Sequence, residues 1–270
     1  MQLTIIGASG SFPGPGSPAS CYLVSANGID EHGAPKTWRI ILDMGNGALG
    51  TLQRYVALED IDAILLSHLH PDHYMDLCGL HVVVRWHPYG WKAGRIPVYG
   101  PADTADRIAI VYGLDPDPGM HPDFDFRSWQ VHQPVNIGPF TITPFPVRHT
   151  LEEAYALRVE ATEPTLNGGK QVSVLTYSGD TDTAPGLIEA AQGADLFLCE
   201  AAFHEGRDEA IDGVHLTGKR AGQMATEAEV GRLLLTHIPV WNDPLVTSQE
   251  ARTAYDGQLA VAVSGVTYTV

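Results

Sequence analysis

Cysteine, long apolar runs and positive charge are all scarce in this sequence of 270 residues. The three cysteines, Cys21, Cys78 and Cys199, are odd in number and lack redox or zinc-binding spacing, so we expect no disulfide framework. No stretch of about 18 consecutive apolar residues occurs, and the opening MQLTIIGASG lacks the basic start of a secretory signal. We therefore predict a cytoplasmic protein that has no membrane partner.

The shortage of positive charge is pronounced: 16 Lys and Arg residues stand against 32 Asp and Glu residues, a formal net charge of −16. Because attraction to phosphates supplies most nucleic-acid affinity, this balance argues against bulk binding of RNA or DNA. An anionic substrate would need positive charge at its binding site to offset the negative potential of the protein, and bound divalent cations are the strongest local charges available. The charge balance therefore directs attention to metal ligands.

The remaining composition is that of a globular protein, with 44% apolar residues, 28 glycines and 19 prolines. Because neither a low-complexity tract nor a long linker interrupts it, we predict a single domain over residues 1–270. Short apolar runs alternate with helical patterns, which favours an α/β protein in which helices cover two sheets. The strand candidates are residues 3–6, 21–24, 39–42, 61–66, 140–146, 172–177, 196–199 and 233–235, and the helix candidates are residues 47–58, 73–86, 102–112, 183–192, 218–228 and 247–255.

Ionisable residues follow the carboxyl ends of five strand candidates. Open sheets place their sites at the carboxyl ends of strands, so we expect these side chains to border one site. They are Asp43, His68, His149, Asp180 and His237.

Residues 68–73 carry three imidazoles and a carboxylate within six positions. In extended backbone, residues two apart point the same way, so His68 and His70 can bind one ion. Pro71 disfavours helix at His70 and begins the helix that follows, so Asp72 and His73 can face a second ion. A lone histidine is more often structural or exposed, but four such side chains in one run predict a site for a metal of the zinc type.

The run HLHPDH over residues 68–73 resembles the H-x-H-x-D-H signature of the metallo-β-lactamase superfamily, which implies an αββα sandwich. The resemblance spans nearly the whole chain and continues at His149, Asp180 and His237. It implies two divalent ions that are bridged by Asp180. We expect zinc, with manganese or iron as alternatives. The metal ligands it implies are His68, His70 and His149 for the first ion and Asp72, His73 and His237 for the second.

The resemblance also bears on the class of reaction. The imidazole of His70 is typical of the hydrolytic members, whereas redox members carry a carboxylate at that position. The family includes relatives that have lost ligands, so a catalytically inert binding protein is an alternative, but a complete ligand set disfavours it.

Residues 200–203 (EAAF) and 215–218 (HLTG) resemble the phosphodiesterase branch of the family, which includes ribonuclease Z. In that branch the counterpart of His215 contacts the scissile phosphate, which implies a catalytic role for His215. A structural alternative is that His215 merely precedes Thr217 at the start of a helix. Asp43 is expected to support a ligand or cap a loop. The catalytic residues predicted are Asp72, Asp180 and His215.

Further segments resemble the atypical class II cyclic-nucleotide phosphodiesterases of actinobacteria; they are residues 7–11, 16–23, 177–181, 198–201 and 233–239. This resemblance implies hydrolysis of 3′,5′-cyclic AMP to 5′-AMP, with a small cyclic nucleotide as the binding partner. The alternative is a ribonuclease Z-like endoribonuclease or another phosphodiester hydrolase. We also expect a homodimer, the commonest oligomer.

Ribonuclease Z grips transfer RNA with a basic arm inserted between the counterparts of His149 and Asp180. Only residues 150–179 lie in that interval here, and they include a predicted strand pair around residues 167–170. We therefore expect no RNA-gripping arm. The aromatic candidates for stacking on a base are Trp86, Tyr89, Trp91 and Phe203.

Overall fold

The structure is a computed structural model that describes residues 1–165, 167–208 and 210–270. Within those residues the chain forms fourteen β-strands, numbered in chain order. They are β1 (Gln2–Gly7), β2 (Cys21–Ile29), β3 (Pro35–Leu42), β4 (Ala63–Leu65), β5 (Ile96–Gly100), β6 (Phe124–Ser128), β7 (Val135–Ile137), β8 (Phe140–Pro146), β9 (Tyr155–Pro164), β10 (Lys170–Tyr177), β11 (Leu196–Glu200), β12 (Arg232–Thr236), β13 (Gln258–Val261) and β14 (Thr267–Thr269).

Seven α-helices and a short 3₁₀ helix (Leu58–Asp60) connect the strands in the described part of the chain. The α-helices are α1 (Ala48–Leu52), α2 (Pro71–Tyr74), α3 (Leu77–Trp86), α4 (Thr104–Tyr112), α5 (Pro185–Ala191), α6 (Gly218–Glu227) and α7 (Pro244–Arg252).

The strands form two mixed seven-stranded sheets, in the orders β14-β1-β2-β3-β4-β5-β6 and β13-β12-β11-β10-β9-β8-β7. In the first sheet, β3 to β6 are parallel neighbours. In the second, β10 to β13 are parallel neighbours. Parallel neighbours end at the same edge of a sheet, so each sheet presents one edge at which several carboxyl ends lie together.

Alternating side chains on the strands separate three hydrophobic layers. On β4, Ala63 and Leu65 pack between the two sheets together with Leu198 of the opposite sheet. Ile64, between them in sequence, faces the layer covered by α1 to α4. Phe197 faces the third layer, under α5 to α7. This period of two buries both faces of each sheet, and the αββα sandwich predicted from sequence is confirmed.

Several predicted boundaries differ from the structure. The helix predicted over residues 73–86 is divided into α2 and α3 because the amide of Asp76 donates to the Met44 carbonyl, outside the helix. The Asp76 carboxylate meanwhile accepts a hydrogen bond from the amide of Leu49, 2.7 Å away. The helix predicted over residues 247–255 begins earlier, at Pro244, because Asp243 caps it. Strands β5, β6, β7, β13 and β14, which have three to five residues each, were not predicted.

No helix in the described ranges is both long and apolar enough to cross a bilayer. The single domain, the homodimer and the cytoplasmic location stay predictions.

Candidate metal centre

The carboxyl ends of strands from both sheets meet at one place. Asp43 follows β3, His68 lies three residues after β4, and His237 follows β12. Asp180 lies three residues after β10, and Glu200 ends β11. The five strand-end residues predicted from sequence, Asp43, His68, His149, Asp180 and His237, all lie in two adjoining clusters or contact them, as expected of strand ends that border one site.

The first cluster consists of His68, His70, His149 and Asp180, whose ligand atoms all lie within 4.8 Å of one another. Nδ1 of His70 lies 3.2 Å from Nε2 of His68 and 3.0 Å from Nε2 of His149. Ligand atoms around a tetrahedral zinc ion with bonds of about 2.1 Å stand about 3.4 Å apart, so this spacing suits one ion.

The second cluster consists of Asp72, His73, Asp180 and His237. Nε2 of His73 lies 3.2 Å from Oδ1 of Asp180, and Nε2 of His237 lies 3.1 Å from Oδ2 of the same carboxylate. Asp180 thus belongs to both clusters. All seven ligands predicted from sequence lie in the two clusters, while metal binding by them stays a prediction.

Buried polar atoms in the second cluster test whether a cation fits. Asp72 Oδ2, His73 Nε2 and Asp180 Oδ1 are buried and lack a hydrogen-bond partner among the described residues. Leaving such groups without a partner costs about 1–3 kcal/mol each, and more where they are charged. A divalent cation bound by all three would offset that cost, so the donor set fits a metal.

The pKa shifts of the histidines also favour a bound cation. Burial lowers the pKa of His68, His70 and His149, which keeps these imidazoles in the neutral form that binds metal. His73 differs: burial disfavours its charged form, but Asp180 and the neighbouring carboxylates raise its pKa well above the usual range. Carboxylates that favour a proton on His73 also favour a divalent cation beside it.

A second layer of contacts holds the ligands in place. Oδ2 of Asp43 accepts from Nδ1 of His73 at 2.7 Å and from the hydroxyl of Tyr177 at 2.7 Å. The amide and hydroxyl of Ser67 donate to the same carboxylate. Fixing the far nitrogen of a ligating histidine selects its tautomer and ring orientation. The contacts of Asp43 agree with the predicted supporting role, whereas the contact of Tyr177 with Asp43 was not predicted, although Tyr177 lies in the resembling segment 177–181.

Two further ligands have their far nitrogen held in the same way. Nδ1 of His149 donates to the Val214 carbonyl at 2.7 Å, and Nδ1 of His237 lies 3.0 Å from the hydroxyl of Ser20. Both contacts leave Nε2 to face the cluster. Sequence reasoning missed Ser20 and Val214, which are distant in sequence from the histidines they hold.

His215 lies at the edge of both clusters, with Nδ1 3.9 Å from Oδ2 of Asp180. Nδ1 donates to Oε1 of the fully buried Glu200 at 2.9 Å. Burial disfavours the imidazolium, but Glu200 and Asp180 outweigh it and raise the pKa of His215 to about 9. Thr217 caps α6 by accepting from the amide of Arg220, as the structural alternative supposes, but that alternative does not explain the contacts of His215 with Glu200 and Asp180. The catalytic role of His215 stays a prediction.

Two glycines allow the backbone to pass close to the ligands. A Cβ on Gly45 would stand 1.9 Å from the carbonyl oxygen of Asp72, and one on Gly10 would stand 2.1 Å from that of His237. Real Cβ atoms do not approach backbone so closely, so these positions need glycine. The loop between β1 and β2, which contains Gly10, thus packs against the strand end that carries His237.

The structure separates the four aromatic candidates. Phe203 packs edge-on against His215, with ring centroids 5.0 Å apart. Trp86 lines a different cavity, and Tyr89 and Trp91 lie beside His87. Of the four, Phe203 is the one that contacts the centre. His204 makes a structural contact, since its Nε2 lies 3.1 Å from the hydroxyl of Thr247.

Sequence comparison adds a family and several relatives. The beta-lactamase superfamily domain matches residues 38–238, a range that contains all seven ligands. An uncharacterized protein of Mycobacterium leprae is 40% identical over 273 residues, covering 100% of this chain and 89% of that protein. Ribonuclease Z of Haloferax volcanii is 25% identical over 308 residues, covering 98% of this chain and 93% of that protein.

A third relative has a solved structure. The probable metallo-hydrolase YhfI of Bacillus subtilis is 30% identical over 267 residues, covering 98% of both chains. Its crystal structure, described as a metallo-beta-lactamase fold protein, superimposes with a TM-score of 0.80 and 27% identity over 99% of this chain and 98% of that one.

Proposed function

This chain belongs to the metallo-beta-lactamase superfamily, and from that premise we propose that it is a metal-dependent phosphodiesterase that hydrolyses 3′,5′-cyclic AMP to 5′-AMP. The observation that carries the proposal is the cluster of Asp180, Glu200 and His215, in which a proton-bearing imidazole adjoins the carboxylate shared by both ligand clusters. A site of this kind can bind an anion and protonate its leaving group.

Two divalent cations, zinc in the first instance and manganese or iron as alternatives, would supply an activated water and neutralise charge on the phosphoryl oxygens. Asp72 and Asp180 would accept hydrogen bonds from the attacking water, fix its direction and take up the proton that it loses. His215 gives its proton to the ribose 3′-oxygen as the P–O3′ bond breaks and the new P–O bond forms. Glu200 holds the imidazole in place and stabilises its charge.

Two features favour a small substrate over transfer RNA. The formal net charge of −16 repels polyanions at long range. Strands β9 and β10 form an antiparallel hairpin, in which Pro164 pairs with Lys170 at one end and Leu157 pairs with Tyr177 at the other. This hairpin occupies most of the interval in which ribonuclease Z carries its arm. Both features support the small cyclic nucleotide as the partner.

A ribonuclease Z-like endoribonuclease is the second candidate. It is favoured by the 25% identity to ribonuclease Z of Haloferax volcanii across 98% of this chain. The catalytic groups would be the same, because both substrates are phosphodiesters. What differs is how the rest of the substrate is held.

A hydrolysis screen of the metal-loaded protein separates these functions. The substrates are cyclic AMP, cyclic GMP, 2′,3′-cyclic nucleotides, a precursor transfer RNA, a thioester and a β-lactam, at equal enzyme concentration and near-physiological salt. Low salt is avoided because it exaggerates RNA contacts. We expect turnover of cyclic AMP and no useful cleavage of RNA. Efficient RNA cleavage with inert cyclic AMP would replace the first candidate by the second.

A further inference from the structure

A cavity of about 360 Å³ opens beside His215, within the size range of sites for small organic ligands, about 300–1,000 Å³. Loops on three sides form it: one after β1, one after β11 and one after β12. The lining includes Ser11, Phe203, Arg207, Pro239 and Trp241 as well as His215.

Two aromatic rings dominate the apolar lining. Phe203 stands edge-on to His215, with ring centroids 5.0 Å apart, so it marks the inner end of the cavity, next to the ligand clusters. Trp241 is 62% exposed, although Phe12 packs against it with ring centroids 4.9 Å apart. An indole held in place by a neighbouring ring yet open to solvent is suited to stacking on a planar ligand.

The guanidinium in the lining is already paired. Arg207 donates to both carboxylate oxygens of Asp208, at 2.8 and 2.9 Å, and to Oδ1 of Asn242 at 2.9 Å. Asn242 in turn donates to the carbonyl of Ala202 at 2.7 Å, which ties two of the loops together. Apart from His215, which serves the reacting phosphate, the described lining therefore has no unpaired cation that could bind a second phosphate. It suits a flat, neutral group.

We propose that this aromatic cavity, which lies between Phe203 and Trp241, is the subsite for the nucleobase, with Trp241 as the stacking residue that favours purine substrates. The inference rests on the proposed phosphodiesterase function and extends it. In the proposed reaction the ribose 3′-oxygen faces His215, and the base is separated from the reacting phosphate by this ribose. The base therefore falls in the cavity beside His215.

Kinetics with and without a base test the subsite. The substrates are cyclic AMP and methyl ribofuranoside 3′,5′-cyclic phosphate, which keeps the sugar and phosphate but lacks the base. Because stacking on one aromatic residue is worth about a 5- to 100-fold change in binding, Trp241→Ala should lower the ratio of kcat/KM for cyclic AMP to that for the abasic substrate by that factor. Trp241→Phe should restore most of the ratio.

Trp86→Ala is the matched control, since Trp86 is 73% exposed and lines a separate cavity. The control should leave the ratio unchanged. If Trp241→Ala lowers kcat/KM equally for both substrates, or lowers neither, the subsite is elsewhere.

Binding of 5′-AMP by calorimetry to the metal-loaded protein separates the subsite from the reaction. If the protein turns over no phosphodiester but binds 5′-AMP in a Trp241-dependent way, the subsite stands and the proposed function falls. If cyclic AMP is hydrolysed and Trp241→Ala changes neither binding nor the ratio, the function stands and the subsite falls. Absence of both activity and binding overturns both.

Discussion

Asp43 and His73 share a buried hydrogen bond of 2.7 Å between Oδ2 and Nδ1, which directs Nε2 of His73 into the second ligand cluster. Both side chains are fully buried. The relationship couples a residue at the end of β3 to a ligand on α2, so the metal centre depends on how these two elements pack.

Asp43→Asn tests that coupling. The amide nearly preserves the shape but replaces one carboxylate oxygen by a donor, so His73 loses its preferred orientation and charge partner. Changes to such partners of metal ligands typically reduce metal affinity or activity about 10- to 100-fold. We expect this loss in titrations with zinc. Asp62→Asn, on a carboxylate that instead pairs with Lys36, should keep full affinity; equal affinity in both variants would contradict the supporting role of Asp43.

Asp180→Ala should remove both ions together. Asp180 belongs to both ligand clusters, and a bridging carboxylate holds two ions about 3.5–4 Å apart. We expect two ions per chain in the unchanged protein by elemental analysis, and coupled loss of metal and activity in the variant. Asp182→Asn is the control, since the buried Asp182 pairs with Arg220 rather than with the ligands. A fully active protein with one ion or none would disprove the two-metal account.

His215→Ala should lower kcat by roughly 10²–10⁴ while metal content and stability are retained, the usual effect of losing a positioned proton donor. His204→Ala removes a nearby imidazole that bonds Thr247, and it should leave kcat largely intact. Unchanged turnover in His215→Ala, or a loss explained by unfolding alone, would return His215 to a structural role.

The pH profile provides a second measure of the same residue. Against the opposing effect of burial, the Glu200 carboxylate helps to raise the pKa of His215 to about 9. A raised pKa keeps the proton in place below that value and releases it as the pH rises. Glu200→Gln removes the negative charge, so the alkaline limb of kcat should move to lower pH. An unmoved limb would mean that another group donates the proton.

Gly45→Ala should destabilise the fold because the new Cβ would meet the carbonyl oxygen of Asp72 at 1.9 Å. Overpacking of this kind costs about 1–3 kcal/mol, and here it also displaces a ligand. Urea unfolding and zinc affinity should both decline. Gly50→Ala is the contrasting variant, because Gly50 is exposed in α1 and a Cβ there would meet open space. Alanine favours helix over glycine, so this change should raise the free energy of unfolding by up to about 1 kcal/mol. Equal effects would show that backbone approach at Gly45 is tolerated.

Local pattern was enough for much of this protein. The short apolar runs at β4 and β11 predicted strands, and the run of residues 68–73 contains ligand types whose spacing is set by extended backbone and then by a helix start. These inferences concern residues that are close in sequence, and their relative positions are set by the nearly invariant geometry of strands and helices. The same spacing carried the resemblance to the family.

The tertiary structure alone decided which distant side chains support the ligands. Tyr177 and Asp43 are 134 positions apart, and Ser20 and His237 are 217 apart. Trp241 and Phe12, which pack against each other beside the cavity, likewise come from opposite halves of the chain. Such pairs form only when two sheets pack face to face, because side-chain contacts depend on the register and angle of that packing, which no local periodicity encodes.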